Sequence, residues 1–274
     1  MNRNSSLLSI LGAGLCAVIS GCGGSSSTDS LEKFGLVGDI ESVRTTINYG
    51  EGDEGSYLAE FSPKGLLTRV TNYAPDSSVF FSTKYEYDSK GRVTNIWEAD
   101  MSGEEIGEYR YTYKGDFLSL CIHLGEANEE DCRWEHENDG KHIVKTVFYS
   151  EGALETISES TWDGMTRREV VKSPEDSLIG TAEYVYLSKD KPLRITSDNT
   201  DISIEYNEKG LPSKCVNVLL TTDGNLRWDP RIVQGEENIY KYEYDSKGNW
   251  IRRTEYLSKA GILSSDISRT ITYR

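Results

Sequence analysis

The sequence predicts an all-β fold: a long antiparallel up-and-down meander of roughly 16–18 strands that forms a closed or nearly closed soluble barrel, round or flattened. Three observations support this. Tyrosines alternate with charged residues in short runs, turns recur about every 25 residues, and no stretch keeps a helical period. Only 36% of the 274 residues are hydrophobic and 17 are Tyr, so the core must use aromatic and β-branched side chains, which favour strands.

The chain begins with a targeting segment, residues 1–21. Arg3 precedes an apolar stretch at 7–19 that is too short to cross a bilayer as a helix. The following ISGC at 19–22 resembles the bacterial lipobox, and the resemblance implies cleavage before Cys22 and acylation of its thiol. The alternative is an ordinary secretory peptide with a chance cysteine.

Residues 22–34 follow as the lipidated cysteine and a tether. GGSSSTDS at 23–30 cannot build a core and is typical of a flexible linker. Gly23, rather than Asp, follows the cysteine, and by analogy with lipoprotein sorting this favours the outer membrane. We therefore expect a lipid-anchored outer-membrane protein whose partner at the N-terminus is the membrane itself.

Residues 35–274 form a single domain of hairpin repeats. YEYDSKGRV at 85–93 and YEYDSKGNW at 242–250 are nearly identical, and looser copies lie between and around them. The turn glycines of the copies are Gly65, Gly91, Gly115, Gly140, Gly164, Gly210 and Gly248. A single strand of ~25 residues would be ~80 Å long, so each period must contain a second turn and form one hairpin.

A meander of this length must deal with its two edge strands. Open sheets rarely exceed ~10 strands, and closure into a barrel removes the edges. A transmembrane barrel is the alternative, but the regular apolar positions hold Tyr and Thr rather than aliphatic residues. The predicted inner face carries Tyr85, Tyr87, Tyr109, Tyr111, Tyr113, Tyr242 and Tyr244.

The two ends of such a barrel should differ in charge. The glycine turns contain acids and lysines in nearly equal numbers, whereas the connections between them, predicted as longer loops, are strongly acidic. Successive turns of a meander alternate between ends, so we expect one lysine end and one acidic end. The first and last strands should both have their free terminus at the lysine end.

The repeats resemble a known family. YxYDxxGR, matched by Tyr85, Tyr87, Asp88, Gly91 and Arg92, looks like the YD repeat of RHS-type proteins, whose hairpins wind into curled sheets. In the second copy Asn249 stands at the Arg position. Together with the lipobox, the chain is also similar to Bacteroides-type outer-membrane lipoproteins of unknown function with a porin-like β fold. These resemblances imply an architecture and no activity.

The composition excludes one class of partner and offers no catalytic motif. A net charge of −15 repels phosphate, so no nucleic-acid partner is expected. Nucleophile-elbow, zincin and P-loop patterns are absent from the sequence, so we predict no enzyme, no catalytic residue, no metal and no cofactor.

Two cysteines flank a loop of one predicted hairpin. Cys121 and Cys132 are a candidate disulfide if the strand register places them opposite each other. Reduced thiols are the alternative, and a metal site with His123 and His136 is a third, although the spacing matches no compact zinc module. Cys215 has no partner in this scheme and is expected as a buried strand residue, because a free cysteine behaves as a small hydrophobic side chain.

One further candidate site lies in the longest loop, where NLRWDPR carries Trp228 beside Arg227, Asp229 and Arg231. Long loops carry function more often than strands do, so these are candidate ligand contacts, although a packing anchor is the simpler reading. The expected function is a non-catalytic binding or structural module whose ligand is a glycan, a cationic molecule or another small molecule. The alternatives are an envelope carbohydrate-active hydrolase that uses loop carboxylates and a pore or transport accessory.

Overall fold

The computed structural model describes residues 31, 33–48, 54–188, 191–198, 200–219, 237–257 and 261–274, and it contains eighteen strands in these parts of the chain. The strands are β1 (Ile40–Asn48), β2 (Glu54–Phe61), β3 (Leu67–Tyr73), β4 (Val79–Tyr87), β5 (Val93–Ala99), β6 (Glu105–Lys114), β7 (Phe117–Leu124), β8 (Glu130–Asn138), β9 (Ile143–Ser150), β10 (Ala153–Asp163), β11 (Thr166–Lys172), β12 (Leu178–Ser188), β13 (Lys191–Ser197), β14 (Thr200–Tyr206), β15 (Pro212–Leu219), β16 (Glu237–Tyr244), β17 (Trp250–Leu257) and β18 (Ile262–Tyr273). No helix among the described residues has the length and apolar character needed to cross a bilayer.

The strands form one closed antiparallel barrel. Each strand pairs with the next along the chain, and β1 also pairs with β18. The closing register runs from Ile40 opposite Tyr273 to Asn48 opposite Asp266. The predicted up-and-down barrel is therefore confirmed, and the two ends of the domain do meet at the lysine end.

Four turns that the structure describes at the acidic end are as tight as the glycine turns at the lysine end. At the lysine end the Asp88 N–H donates to the Arg92 carbonyl at 2.9 Å and the Gly91 N–H donates to the Asp88 carbonyl at 3.0 Å. The acidic-end turn at 74–78 repeats both bonds, and Ser77 adopts the positive φ that Gly91 adopts in the first turn. Gly103, Asn128 and Asp176 take the same place in three further acidic-end turns. The expected contrast between long and short connections is thus wrong for these turns, because Ser, Asn and Asp can supply the left-handed residue as well as Gly.

The alternation of residues along the strands separates an inner from an outer wall. Tyr85 and Tyr111 are buried, whereas Lys84, Glu86 and Arg110 beside them are exposed. The other predicted inner tyrosines, which are half-buried, are Tyr87, Tyr109, Tyr113, Tyr242 and Tyr244. Because side chains alternate across a strand, the tyrosine face points into the barrel, as expected.

Tyrosine hydroxyl groups connect neighbouring strands at the lysine end. The Tyr87 hydroxyl on β4 donates to the carbonyl of Leu67, the first residue of β3, at 2.6 Å. The same bond recurs from Tyr113 to Val93, from Tyr206 to Pro192 and from Tyr242 to Pro212, at 2.8–2.9 Å. The repeat therefore uses each of these tyrosines both as core and as a hydrogen-bond donor to a strand-end carbonyl.

Outward positions of the strands carry charged side chains that pair across neighbouring strands. Three of these pairs are Arg168–Glu183 at 2.7 Å, Arg194–Asp201 at 2.6 Å and Arg252–Asp266 at 2.6 Å. A lipid-facing wall would need an apolar band at these positions, because each charge at the bilayer midplane costs about 2–4 kcal/mol.

The segment before β1 packs against the lysine end. The Leu31 N–H donates to the Gly65 carbonyl at 3.0 Å, and Phe34 meets Phe61 edge to face at 5.3 Å. Arg269 on β18 donates to the Phe34 carbonyl at 2.8 Å, and burial lowers the pKa of Arg269 to about 10. Contacts with the barrel therefore begin within the range 22–34 that the sequence assigns to the tether.

Asn249 secures this segment where the barrel closes. Its side chain is fully buried, accepts a hydrogen bond from the Val37 N–H at 2.6 Å and donates to the Val37 carbonyl at 2.9 Å. It also donates to the Tyr273 hydroxyl at 2.8 Å. At the matching position of the first YEYDSKG copy, Arg92 instead reaches the Gly115 carbonyl of the next turn.

Candidate functional site

The inner wall of the barrel contains a hollow of about 260 Å³ between β8 and β11. Four small hydroxyl side chains form its floor: Thr146 on β9 and Thr156, Ser158 and Ser160 on β10. We call this site the interior hollow. It exists because β10 places Thr and Ser at the inward positions where other repeats place Tyr, so the wall is locally thin.

Aromatic side chains surround the floor. Trp134 stacks on Phe148 with ring centroids 5.0 Å apart, and both line the hollow. Trp162 lies between the rings of His142, at 4.1 Å, and Tyr186, at 5.7 Å. Both faces of the Trp162 indole are therefore covered, which fixes the ring in place.

One ion pair completes the lining. Arg167 Nη2 lies 3.3 Å from Glu169 Oε2, and the Arg167 side chain is only 10% exposed. The guanidinium also lies over the Tyr184 ring at 4.1 Å. Burial and the charge of Glu169 raise the pKa of Tyr184, while the nearby Arg167 opposes this change. The two charges of the pair offset each other, so the hollow is polar but close to neutral.

Two residues that line the hollow each contain a buried nitrogen without a hydrogen-bond partner among the described residues. These atoms are Nε1 of Trp162 and Nε of Arg167. Nε of Arg133, Arg253 and Arg269 is buried in the same way elsewhere in the barrel. The condition therefore recurs among the arginines of the barrel and does not by itself identify a ligand.

These residues were not among the site candidates from the sequence. The signal that could have identified them is the alternation TISESTW at 156–162, in which hydroxyls replace the usual inward aromatic residues before a tryptophan. Arg167 and Glu169 gave no such signal, because charged residues also fill the outer wall. Their role depends on which face of β11 points inward.

The predicted lipidation site and the predicted loop contacts lie outside the described residues. These residues are Cys22, Arg227, Trp228, Asp229 and Arg231. Their roles remain predictions.

The candidate disulfide is not formed in this structure, where Cys121 and Cys132 are both free. The register places Cys132 opposite His123 and Cys121 opposite Trp134. The cysteines therefore occupy diagonal positions on the inner face, where Cα atoms are typically ~7–8 Å apart, beyond the usual disulfide span. Cys215 lies in β15 as a free cysteine, but it is half-buried rather than buried.

His123 belongs to a separate polar cluster near the acidic end. Its Nδ1 lies 2.6 Å from Asp131 Oδ1, and its Nε2 lies 3.6 Å from Glu98 Oε2. Burial alone would lower the pKa of His123, but the nearby carboxylates of Glu98 and Asp131 raise it overall. Among the described residues, no group of three or more His, Cys, Asp and Glu side chains has an arrangement suited to a metal ion.

Comparisons with known proteins extend only to the fold. No protein-family model matches the chain, and no curated protein matches it. A porin-like protein from Bacteroides uniformis is 12% identical over 85% of this chain and 96% of its own, with a TM-score of 0.44. A porin-like protein from Bacteroides vulgatus is 11% identical over 72% of this chain and 95% of its own, with a TM-score of 0.39.

A third solved structure, TcdB2-TccC3 without its hypervariable C-terminal region, is 12% identical over 81% of this chain and 15% of its own, with a TM-score of 0.22. The expected likeness to porin-like proteins of Bacteroides is thus found among solved structures, whereas membership of the YD-repeat family is not confirmed. The closed barrel itself rests on the strand pairing of this chain.

Proposed function

We propose that this protein is an outer-membrane lipoprotein whose barrel is a non-catalytic binding module that holds a small uncharged polar molecule in the interior hollow. The observation that carries this proposal is the lining of the interior hollow, where four hydroxyl side chains, three aromatic rings and the Arg167–Glu169 pair surround one space. At 260 Å³ the hollow lies near the lower limit of ligand pockets, which is ~300 Å³.

Two features support a lipid-anchored protein whose barrel lies in water. The exposed ion pairs of the outer wall suit an aqueous surface, and the lipobox-like ISGC at 19–22 supplies the anchor. Leu31 and Phe34 lie at the lysine end, so the tether would hold this end toward the bilayer. The acidic end would then face away from anionic headgroups.

A binding role suits the hollow better than a hydrolytic one. Glycoside hydrolysis generally needs two carboxyl groups placed on either side of the bond to be cleaved. The lining of the hollow includes one carboxylate, Glu169, and Arg167 already pairs with it. No second carboxyl group lies among the described residues of this lining, so the pair that such hydrolysis needs is not present there.

The anchor can be tested with two cysteine variants. Cys22→Ser should abolish metabolic palmitate labelling and release the protein from the membrane fraction. Cys16→Ser is the matched control, since this cysteine lies in the segment that cleavage removes. Equal labelling of the two variants would contradict the proposal.

The binding role can be tested on the full chain in detergent, by a thermal-shift screen of neutral metabolites. We expect a stabilising ligand whose effect disappears in Ser160→Leu, which fills the hollow. Thr161→Leu, the adjacent exposed position on the outer wall, should keep the effect. No stabilising compound in the screen, or equal loss in both variants, would overturn the proposed role.

A further inference from the structure

We propose that the outer wall at the acidic end carries a docking surface for a partner protein that presents apolar and basic side chains, a role separate from the interior hollow. The distribution of exposed apolar side chains is the first observation. Among the described residues, seven large exposed apolar side chains lie at the acidic end and three at the lysine end. The seven are Val79, Phe80, Met101, Leu178, Ile179, Ile262 and Leu263, and the three are Val37, Met165 and Leu187.

Irregular strand pairing explains how two of these side chains reach the surface together. Tyr73 pairs with Val79, whereas Asn72 before it pairs with Phe81, so Phe80 is an extra residue in a bulge of β4. In a bulge, two consecutive residues oppose one residue of the neighbouring strand. Val79 and Phe80 both oppose Tyr73 in this way, and they are 38% and 47% exposed.

Three neighbouring strands, β3 to β5, bring these apolar side chains into one group. Tyr73 lies at the end of β3, opposite Val79. The register of β4 against β5, continued past its last pair, places Phe80 next to Met101 of the following turn. We call Tyr73, Val79, Phe80 and Met101 the outer patch. Neighbouring large apolar side chains that remain exposed together are typical of an interaction site.

Ionised carboxylates border the outer patch on the side of the turns. Asp76 accepts hydrogen bonds from the hydroxyl and the N–H of Ser78, at 2.6 and 3.0 Å. Asp100 accepts the same pair of bonds within its own turn. These bonds lower the pKa of both carboxyls, and the exposed Glu104 adds a further acid to the second turn.

Two basic side chains lie on the other side of the patch, away from the turns. Arg44 lies over the Tyr73 ring at 4.5 Å, and Lys84 lies over the Trp97 ring at 4.9 Å. Both cations are thus engaged with aromatic rings of the protein itself. The border formed by the turns therefore stays negative, and it would attract a partner that carries basic residues beside its apolar ones.

Two other occupants match this surface less well. The carboxylates of the turns would repel an anionic membrane, and the segment that follows the predicted anchor packs at the opposite, lysine end. Two copies of the chain anchored in one membrane would meet with their acidic ends side by side, which brings like charges together. A different protein with a basic and apolar surface avoids both conflicts.

The test measures binding of three labelled helical peptides to the full chain held in nanodiscs of zwitterionic lipid. The first peptide has leucines on one face and lysines on the other. The second has glutamates in place of the lysines, and the third has serines in place of the leucines. We expect fluorescence anisotropy to show binding of the first peptide, with empty nanodiscs as the blank, and the other two to bind at least tenfold more weakly.

Matched substitutions locate the surface. Phe80→Ser combined with Met101→Ser should weaken binding of the leucine–lysine peptide at least tenfold. Met165→Ser combined with Leu187→Ser is the control, because these side chains are similarly exposed at the lysine end, and it should leave binding unchanged. Glu104→Gln should weaken binding and reduce its dependence on salt, because it removes a carboxylate beside the patch.

Four outcomes would overturn the proposal. The leucine–lysine peptide does not bind, the glutamate peptide binds equally well, or the two serine pairs lose binding equally. The fourth outcome is another occupant: a dimer of the chain in sedimentation, or binding to phosphatidylglycerol vesicles, that Phe80→Ser abolishes would assign the patch to a second copy or to lipid. These substitutions do not touch the interior hollow, so the proposed binding role is tested separately.

Discussion

Replacing Asn249 by alanine should loosen the seam where the barrel closes. This side chain is fully buried and links the segment before β1 to the last strand. Asn249→Ala removes three hydrogen bonds: two to the backbone of Val37 and one to the hydroxyl of Tyr273.

The expected loss can be estimated bond by bond. A typical intramolecular hydrogen bond contributes about 1 kcal/mol net, so three bonds amount to about 3 kcal/mol. The exposed fraction of Val37 is 57%, so water can replace part of what its backbone loses. The free energy of unfolding should therefore fall by about 2–3 kcal/mol.

Urea denaturation and amide hydrogen exchange can measure this effect. A local opening that becomes 2–3 kcal/mol easier should speed exchange of amides in β1 and β18 by roughly 30- to 140-fold. Amides in β4 and β5, which lie away from the seam, should change less. The control is Asn95→Ala, where a half-buried asparagine loses one bond to Glu108.

Equal effects of the two variants would contradict this prediction. If Asn249→Ala lowers the urea midpoint no more than Asn95→Ala does, the three bonds do not hold the seam. Exchange in β1 and β18 that stays at the rate of the native chain would lead to the same conclusion.

Three further predictions concern the inner wall. Tyr87→Ala should lower the free energy of unfolding by about 2–4 kcal/mol, because the variant loses both the burial of the ring and the hydrogen bond of its hydroxyl. Glu86→Ala at the neighbouring exposed position should lower it by about 0.5 kcal/mol or less. Equal denaturation midpoints would contradict the assignment of these residues to opposite faces. Burial lowers the pKa of His136 to about 4, so the unfolded chain takes up a proton first as pH falls. The stability that neutral His136 contributes should be present above about pH 6.5 and should fall by up to about 3 kcal/mol toward pH 4. In acid denaturation, His136→Phe should reduce the dependence of the unfolding free energy on pH in this range. Gly107→Ala should lower the free energy of unfolding by about 1–3 kcal/mol, because the new Cβ would lie 2.8 Å from Nε2 of His123 on the neighbouring strand. Gly55→Ala is the control and should be neutral, because nothing lies within 4 Å of its Cβ. Similar melting temperatures for the two variants would contradict this prediction.

Much of the architecture could be predicted because it is encoded locally. The alternation in YEYDSKG determines which side chains share a face, and Gly91 with Asp88 determines the turn that follows. Counting such hairpins yields the strand number and places both termini at one end. The length of the acidic-end connections is not predictable in the same way, because Ser77 and Asp176 adopt the left-handed conformation without the glycine that marks the other turns in the sequence.

The sequence by itself therefore determined the strand class, the hairpin period, the tyrosine face and the shared end of the two termini, since each depends on residues close together in the chain. Only the tertiary structure decided the register of β1 against β18, the offset of Cys121 from Cys132, and the hollow lined by Ser160 and Arg167. These features depend on pairing between separate strands. A shift of two residues in register keeps every side chain on its face and so leaves the sequence pattern unchanged, but it changes which groups meet.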